Sequence, residues 1–273
     1  MAVRVYKPTT PARRRTSVID TRHLSAPRKE LLTSVTYKAG RSNGAISVRH
    51  RGGAGRRRAR IVDFVQSKEV PAKIEALTYD PYRSAFLAQL LYVDGDRRYV
   101  LAEATQKVGD AIQVGEKAPV RRGNRLPLRR LPSGTDIYNV QISREGKGTL
   151  VRAAGTSGSV VAHEESGYTQ IKLPSGEVRR VLSDCLATVG VVSNREHENV
   201  RIGKAGRNRH KGIRPHVRGK AMNPVDHPHG GGEGGSPIGL KGPKTPSGLY
   251  TLGRKTRRQK KSMKQIVRRR GSR

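Results

Sequence analysis

Positive charge in this 273-residue chain is concentrated at its two ends, and this limits where a hydrophobic core can form. Residues 1–60 carry 16 Lys and Arg against 2 acidic residues, and residues 201–273 carry 21 against 2, giving net charges of +14 and +19. Residues 61–125 and 126–200 each have a net charge of only +1. Because like charges repel one another in a compact state, we expect the core to lie in these two neutral blocks.

The two basic ends indicate a large polyanionic partner. Hydrophobic residues make up 34% of the chain, which also contains 31 Gly and 15 Pro, so the ends bury too little apolar surface to offset the entropy of ordering them. We therefore expect them to be disordered when free. Lys and Arg segments of this kind bind phosphates and release the counterions around a nucleic acid.

Two features of the composition exclude other classes of protein. The single cysteine, Cys185, excludes an intramolecular disulfide, and we predict that it is a small buried apolar residue in a reducing compartment. The longest strongly apolar stretch, residues 85–93, is much shorter than the roughly 20 residues that span a bilayer, so we predict no membrane segment. Pro8 and Pro11 interrupt any amphipathic targeting helix at the N-terminus, which we interpret as mature chain.

The first neutral block predicts a small β-barrel. Its pattern predicts strands at residues 60–65, 73–79, 85–93, 98–102 and 108–114, with a hairpin turn at Asp94-Gly95. Five short strands in a block of this size are typical of an OB-fold.

The second neutral block predicts another barrel, of SH3-like type. Its strands are predicted at residues 136–142, 149–154, 159–163, 168–173, 177–182 and 187–192, with a turn at Pro174-Ser175-Gly176. Residues 119–132, rich in Pro, Gly and Arg, are interpreted as a linker, and a single β-sandwich across both blocks is the alternative. The predicted fold is mainly β, with four regions: a basic N-terminal extension (1–60), an OB-fold (61–125), an SH3-like barrel (126–200) and a basic C-terminal extension (201–273).

Arginine runs at both ends predict RNA contacts. Around residues 52–58 arginines stand beside glycines, so the backbone can approach a phosphate while guanidinium groups bind it bidentately. The basic run near the C-terminus could also be a solvated tail. The predicted RNA-binding residues are Arg13, Arg14, Arg15, Arg49, His50, Arg51, Arg56, Arg57, Arg58, Arg60, Arg83, Arg214, Arg218, Asn223, His227, His229, Lys255, Arg257, Arg258, Lys260, Arg268, Arg269 and Arg270.

The segment Ala221–Gly235 has a different composition, with two prolines, five glycines and a cluster of Asp226, His227, His229 and Glu233. A metal site is one hypothesis, but Pro228 restricts the backbone between the histidines, and we predict no metal. A general base at His229 is a second hypothesis, although spacing identifies no nucleophile or orienting partner. We favour an irregular loop that contacts bases and 2′-hydroxyls of RNA, and we assign no catalytic residue.

Several motifs resemble one known family. Residues 221–234, preceded by 212–219 and followed by Lys255-Thr256-Arg257, resemble the signature of the bacterial-type large-subunit ribosomal protein two, the L-two family. Residues 60–64, 79–85 and 266–270 are similar to that family in the same order. This chain departs from the family pattern at residues 44–47 and 52–56.

The resemblance implies a fold of two barrels, an OB-fold and an SH3-like barrel, with two extensions bound to large-subunit ribosomal RNA. It also implies a position of the His229 loop near the peptidyl transferase region, neighbouring ribosomal proteins, and a contact with the small subunit. The expected protein is a non-enzymatic structural constituent, ribosome-bound in a bacterial cytoplasm rather than an organelle matrix. It is not a stand-alone homo-oligomer, and it has no cofactor apart from magnesium ions shared with the RNA.

Two alternatives come from other classes of protein. A DNA-packaging protein would also carry basic ends, but two neutral barrels have no obvious use in coating a uniform duplex. An enzyme with His229 as its base stays open because histidine titrates near neutral pH.

Overall fold

The computed structural model describes residues 3–36, 38–256 and 260–271. They form two compact units. Unit 1 comprises residues up to Thr36, Arg56–Arg207 and the residues from Ser262 onwards, and unit 2 comprises the stretch up to Gly55 that follows Thr36 together with Asn208–Lys261. Each unit therefore contains segments that are distant in the sequence.

The first 60 residues contain short strand pairs. The strands are β1 (Val3–Val5), β2 (Ser17–Ile19), β3 (Leu32–Ser34), β4 (Arg41–Ser42), β5 (Ala45–Ile46) and β6 (Arg58–Arg60). β1 pairs with β2, β3 with β6, and β4 with β5, all antiparallel. At the β4–β5 turn, Asn43 and Gly44 have φ values of 49° and 77°, the left-handed conformation that a two-residue hairpin requires. The basic N-terminal end therefore contains regular structure.

The first neutral block forms a four-stranded antiparallel sheet. Its strands are β7 (Ala72–Thr78), β8 (Leu87–Tyr92), β9 (Arg97–Leu101) and β10 (Ala111–Ile112), in the order β10-β7-β8-β9. The predicted turn at Gly95 is confirmed, with φ of 84°. β8 is almost entirely apolar, with Gln89 as the exception, because it is buried on both faces. Ala88 and Leu90 pack in one core cluster, and Leu87 packs in another.

The second neutral block forms a seven-stranded antiparallel sheet. Its strands are β11 (Arg125–Pro127), β12 (Asp136–Tyr138), β13 (Gly158–His163), β14 (Tyr168–Lys172), β15 (Val178–Leu182), β16 (Leu186–Val189) and β17 (Ile266–Arg268). The order is β11-β16-β12-β13-β14-β15-β17. The last strand comes from the basic C-terminal end, so part of that end belongs to a sheet.

Helices are short. One α-helix, α1 (Ala205–His210), is described, and 3-10 turns lie at Lys29–Leu31, Leu128–Arg130, Arg195–Asn199, Gly219–Ala221 and Lys261–Gln265. No helix among the described residues is long and apolar enough to cross a membrane. The mainly β fold predicted from the sequence is confirmed.

The two sheets pack together within unit 1. A core cluster joins Leu87, Tyr99 and Leu101 of the four-stranded sheet to Tyr138 of the seven-stranded sheet and to Val192. The Ser193 hydroxyl accepts a 3.0 Å hydrogen bond from the Phe86 backbone N–H. The OB-fold and SH3-like assignments and the four domain boundaries stay predictions.

Two strand predictions and one linker interpretation need correction. Residues 61–65 are irregular apart from a bridge at Val62, because Asp63 accepts hydrogen bonds from the Val65 and Gln66 N–H groups and turns the chain. Residues 149–154 form only a bridge at Leu150 and contain Val151 with φ of 53°. The linker interpretation is wrong for residues 125–131, where β11 pairs with β16 and Leu126, Leu128 and Leu131 are buried in the core.

Replacement of Leu126 by Ala tests this correction. Leu126 is 0% exposed, so the substitution should leave a cavity and lower the free energy of unfolding by about 2 to 5 kcal/mol in denaturant titration. The matched control is Val120→Ala in the same stretch, 45% exposed, which should change stability by no more than about 0.5 kcal/mol. Equal, small effects of both substitutions would restore the linker interpretation.

Candidate nucleic-acid interface

In unit 2 the segment around residues 50–55 pairs with residues 210–214. Gly52 N–H donates to the Gly212 carbonyl at 2.9 Å, and Arg214 N–H donates to the His50 carbonyl at 3.0 Å. Gly55 N–H donates to the His210 carbonyl at 3.1 Å. Two of the glycine N–H groups that the sequence offers to a phosphate are therefore used within the protein. The hydrogen bonds between residues 50–55 and 210–214 hold the neighbouring arginines in place.

These pairings form a basic pocket of about 450 Å³. Four arginines and one histidine line it, together with apolar side chains: Arg41, Arg49, His50, Arg51, Arg214, Ala39, Ile46, Val48 and Pro215. The His50 ring lies 4.5 Å from the His216 ring in an edge-on arrangement. Guanidinium groups around an apolar surface can bind a phosphate while a base or sugar lies on the apolar side chains.

The loop of residues 222–235 in unit 2 is held by its two histidines. His229 N–H donates to His227 Nδ1 at 3.0 Å, and Lys244 N–H donates to His229 Nε2 at 2.7 Å. A backbone N–H can only donate, so His227 Nδ1 and His229 Nε2 each carry a lone pair. In each ring the proton therefore lies on the other nitrogen. The loop thus presents His229 Nδ1–H as a hydrogen-bond donor, which matches acceptor atoms of RNA.

His227 supports His229. It is 8% exposed, and its ring centroid lies 4.7 Å from that of His229. Gly219 allows this packing, because a Cβ at that position would lie 2.6 Å from the His227 ring. Within this loop the predicted contacts of Asn223 and His229 remain accessible, whereas the His227 side chain is covered by the protein.

In unit 1 two predicted RNA-binding arginines are partly used in the fold. Arg83 makes a 3.3 Å ion pair with Asp80, which is buried, and its guanidinium lies over the Phe64 ring at 4.6 Å. Burial lowers the pKa of Arg83, although nearby Asp80 opposes this effect. Arg57 donates to the Pro81 carbonyl at 3.0 Å and lies over the Tyr82 ring at 5.0 Å. These contacts fix the 80–83 turn.

The other predicted residues are mostly exposed. Arg60 is half-buried and donates to the Arg58 carbonyl at 2.8 Å. Arg257 and Arg258 lie outside the described residues. The exposed residues are Arg13, Arg14, Arg15, Arg56, Arg58, Arg218, Lys255, Lys260, Arg268, Arg269 and Arg270.

Sequence reasoning missed several basic residues that the fold brings together. Arg4 and Arg207 lie with Arg13 around the ring of Tyr6 in unit 1, and we call these four residues the Tyr6 cluster. Arg41 lines the pocket of unit 2. Arg4, Arg41 and Arg207 stand singly in the sequence, outside any basic run or motif that would identify them as RNA contacts. The nearest signal is the absence of acidic residues around them.

Two further predictions concern reactive groups. Cys185 is 0% exposed in the core of the seven-stranded sheet, and burial raises the pKa of its thiol to about 11, which confirms it as a small buried residue. Among the described residues, no group of three His, Cys, Asp or Glu side chains could hold a metal ion.

Two family models match the chain. The model described as the RNA binding N-terminal domain of Ribosomal Proteins L2 matches residues 28–114, and the model for the C-terminal domain of the same proteins matches residues 121–248. Together they include the four-stranded sheet, six strands of the seven-stranded sheet, the basic pocket and the His229 loop.

Arg83→Gln should affect stability more than RNA binding. Loss of the guanidinium leaves the buried Asp80 carboxylate without its cation, so the free energy of unfolding should fall by about 1 to 3 kcal/mol. Arg58→Gln is the matched control, because Arg58 is exposed and should weaken RNA binding without this loss. Denaturant titration and an RNA-binding isotherm of both variants measure the two effects.

The His229 contact should depend on pH. Partial burial, together with His227 and Lys244, lowers the pKa of His229 below its ordinary value of 6.5. The neutral ring therefore stabilises the loop above pH 6.5, and this contribution is lost as the pH falls through the lower folded-state pKa. The amide resonance of Lys244 should move as His229 titrates in an NMR pH series.

The control for this titration is His229→Gln, which keeps a hydrogen-bonding side chain but removes the titratable ring. Its Lys244 resonance should not move over the same pH range. A wild-type Lys244 resonance that does not follow the ring signals would contradict the hydrogen bond.

Proposed function

The chain belongs to the ribosomal protein L2 family, and from this we propose that it binds large-subunit ribosomal RNA mainly through its two basic ends. The family has a structural, RNA-binding role in the ribosome. The match of residues 28–114 to a domain described as RNA binding is the observation that carries the proposal.

The distribution of charge supports the same partner. The two ends hold 37 Lys and Arg but only 4 acidic residues, so their own carboxylates cannot neutralise them. In the N-terminal end, Arg22 and Arg28 form ion pairs. Most ion pairs are formed by cations of the neutral blocks, where acids are almost as numerous as bases: Lys68, Arg83, Arg97, Arg98, Arg129, Arg144, Arg179 and Arg180. Neutralisation of the ends must come from outside, and RNA phosphates supply it.

The proposed mechanism is charge neutralisation on a fixed backbone. Arginines held by the short strand pairs bind phosphates of separate RNA segments and release their counterions, so that segments which repel one another can pack. The protein thereby assists assembly of the large subunit. Magnesium ions shared with the same phosphates can contribute, and the protein has no cofactor of its own.

We extend the proposal to the position of the His229 loop. The loop lies against the peptidyl transferase region, and its donor N–H positions RNA without taking part in bond formation. The protein contacts neighbouring ribosomal proteins and, at the interface, the small subunit, and it acts in the bacterial cytoplasm. What supports this extension is the resemblance of residues 221–234 to the family signature together with the donor geometry of His229.

Competition binding tests the main proposal. The full chain should prefer folded large-subunit ribosomal RNA to duplex DNA at physiological salt. A plot of the logarithm of its binding constant against the logarithm of salt concentration should have a slope of about −7 to −9. This is the slope expected for about ten phosphate contacts. Preference for duplex DNA would favour the packaging alternative and overturn the proposal.

A further inference from the structure

Three guanidinium groups surround one aromatic ring at the N-terminal hairpin. The guanidinium carbons of Arg4, Arg13 and Arg207 lie 5.8, 5.6 and 5.5 Å from the centroid of the Tyr6 ring. Arg4 and Arg13 belong to the β1–β2 hairpin, whereas Arg207 belongs to α1. Because all three lie within about 6 Å of one centroid, no two are more than about 12 Å apart.

The backbone under the cluster is fixed by hydrogen bonds. Ser17 N–H donates to the Arg201 carbonyl at 2.9 Å, and Arg201 N–H donates to the Ser17 hydroxyl at 2.8 Å. Thr16 and Ser17 are buried. Gly203 has φ of +77° and packs against Thr16 so closely that a Cβ there would collide with its side chain. The hairpin and residues 199–207 therefore hold the three arginines together.

The cluster has an excess of positive charge. Residues 3–19 contain five Lys and Arg and no acid, and residues 199–207 contain three and no acid. A cation at 5.5 to 5.8 Å from a ring centroid is near the outer limit of a favourable contact, so Tyr6 offsets only part of the repulsion among the arginines. An anion between them would offset the rest.

A second basic surface lies on the same hairpin. It is a pocket of about 310 Å³ with three more arginines among its lining residues, which are Val3, Val5, Arg14, Arg15, Ser17, Asn199 and Arg201. Two groups of three arginines, formed by this hairpin together with residues 199–207, favour an extended anion over a single ion. An RNA strand is such an anion, because each nucleotide brings another phosphate.

We propose that the Tyr6 cluster binds neighbouring phosphates of an RNA backbone. The site spans the N-terminal hairpin and residues 199–207, so its formation requires both segments, and bound RNA holds them together. Guanidinium groups bind phosphate oxygens bidentately, and three of them can serve two successive phosphates. This inference rests on the proposed binding of ribosomal RNA, and it adds a particular site made by residues that are distant in the sequence.

The triple substitution Arg4→Gln, Arg13→Gln and Arg207→Gln tests the site in the full chain. With large-subunit ribosomal RNA, the slope of the log–log salt plot should become shallower by about one to two units, as the loss of two phosphate contacts requires. The matched control, Lys107→Gln, Lys117→Gln and Lys147→Gln, removes the same charge from exposed positions of unit 1 and should change the slope by less than one unit. Equal changes in both variants would overturn the proposal.

A second measurement separates the site from general charge and from loss of folding. Hydrogen exchange of the Tyr6, Ser17 and Arg201 amides should slow when RNA binds the wild-type chain, and should change less in the triple variant. The free triple variant and the free wild-type chain should have similar melting temperatures, because Arg4 and Arg13 are exposed and Arg207 is only half-buried. Millimolar inorganic phosphate should slow the exchange of these amides less than RNA does. Equal slowing would show that the site binds free anions and would overturn the proposal.

Failure of the site and failure of the proposed function give different results. If wild-type chain binds ribosomal RNA with a steep salt slope but the triple variant retains that slope, only the Tyr6 site is wrong. If wild-type chain shows no preference for ribosomal RNA, the proposed function itself is wrong.

Discussion

Repulsion among cations is the constraint on which this structure depends. The 37 Lys and Arg of the two ends cannot be buried together, so the hydrophobic clusters form almost wholly from residues 72–192. The N-terminal end is held instead by backbone hydrogen bonds in strand pairs of two or three residues, and the C-terminal end pairs β17 with β15. Backbone pairing needs no apolar side chain, so it can order a segment whose side chains stay charged and exposed. This arrangement leaves the cations on fixed positions for an external anion.

Much of the core fold could be predicted from sequence periodicity. The strands at Ala72–Thr78, Leu87–Tyr92 and Tyr168–Lys172 lie within two residues of their predicted bounds, because apolar alternation and turn residues agree there. β11 was missed because prolines and arginines around it are typical of linkers. The stretch also contains Leu126, Leu128 and Leu131, which favour a buried element. Three leucines are too few to change the prediction when prolines and arginines surround them. Arg125 is 0% exposed and donates to the Asn139 carbonyl at 2.8 Å, a burial that composition cannot predict.

The candidate interface was predictable only where cations stand in runs. Arg13–Arg15 and Arg56–Arg58 are such runs, and most of these side chains are exposed. The Tyr6 cluster contains one residue of the first run and one of α1, and only the fold brings them together. Arg83 shows the opposite case, in which a residue predicted to bind RNA is partly used in the fold. Its sequence context resembles an RNA contact, yet its guanidinium is partly committed to Asp80 and Phe64.

The two histidine rings of the 222–235 loop also limit the chemistry of that loop. In each ring one nitrogen accepts a backbone N–H and the other carries the proton. No lone pair is left to remove a proton from another molecule, so His229 could act as a base only after its bond to Lys244 had broken. The hydrogen bonds that hold the loop in place thus argue against proton abstraction by His229 in this conformation.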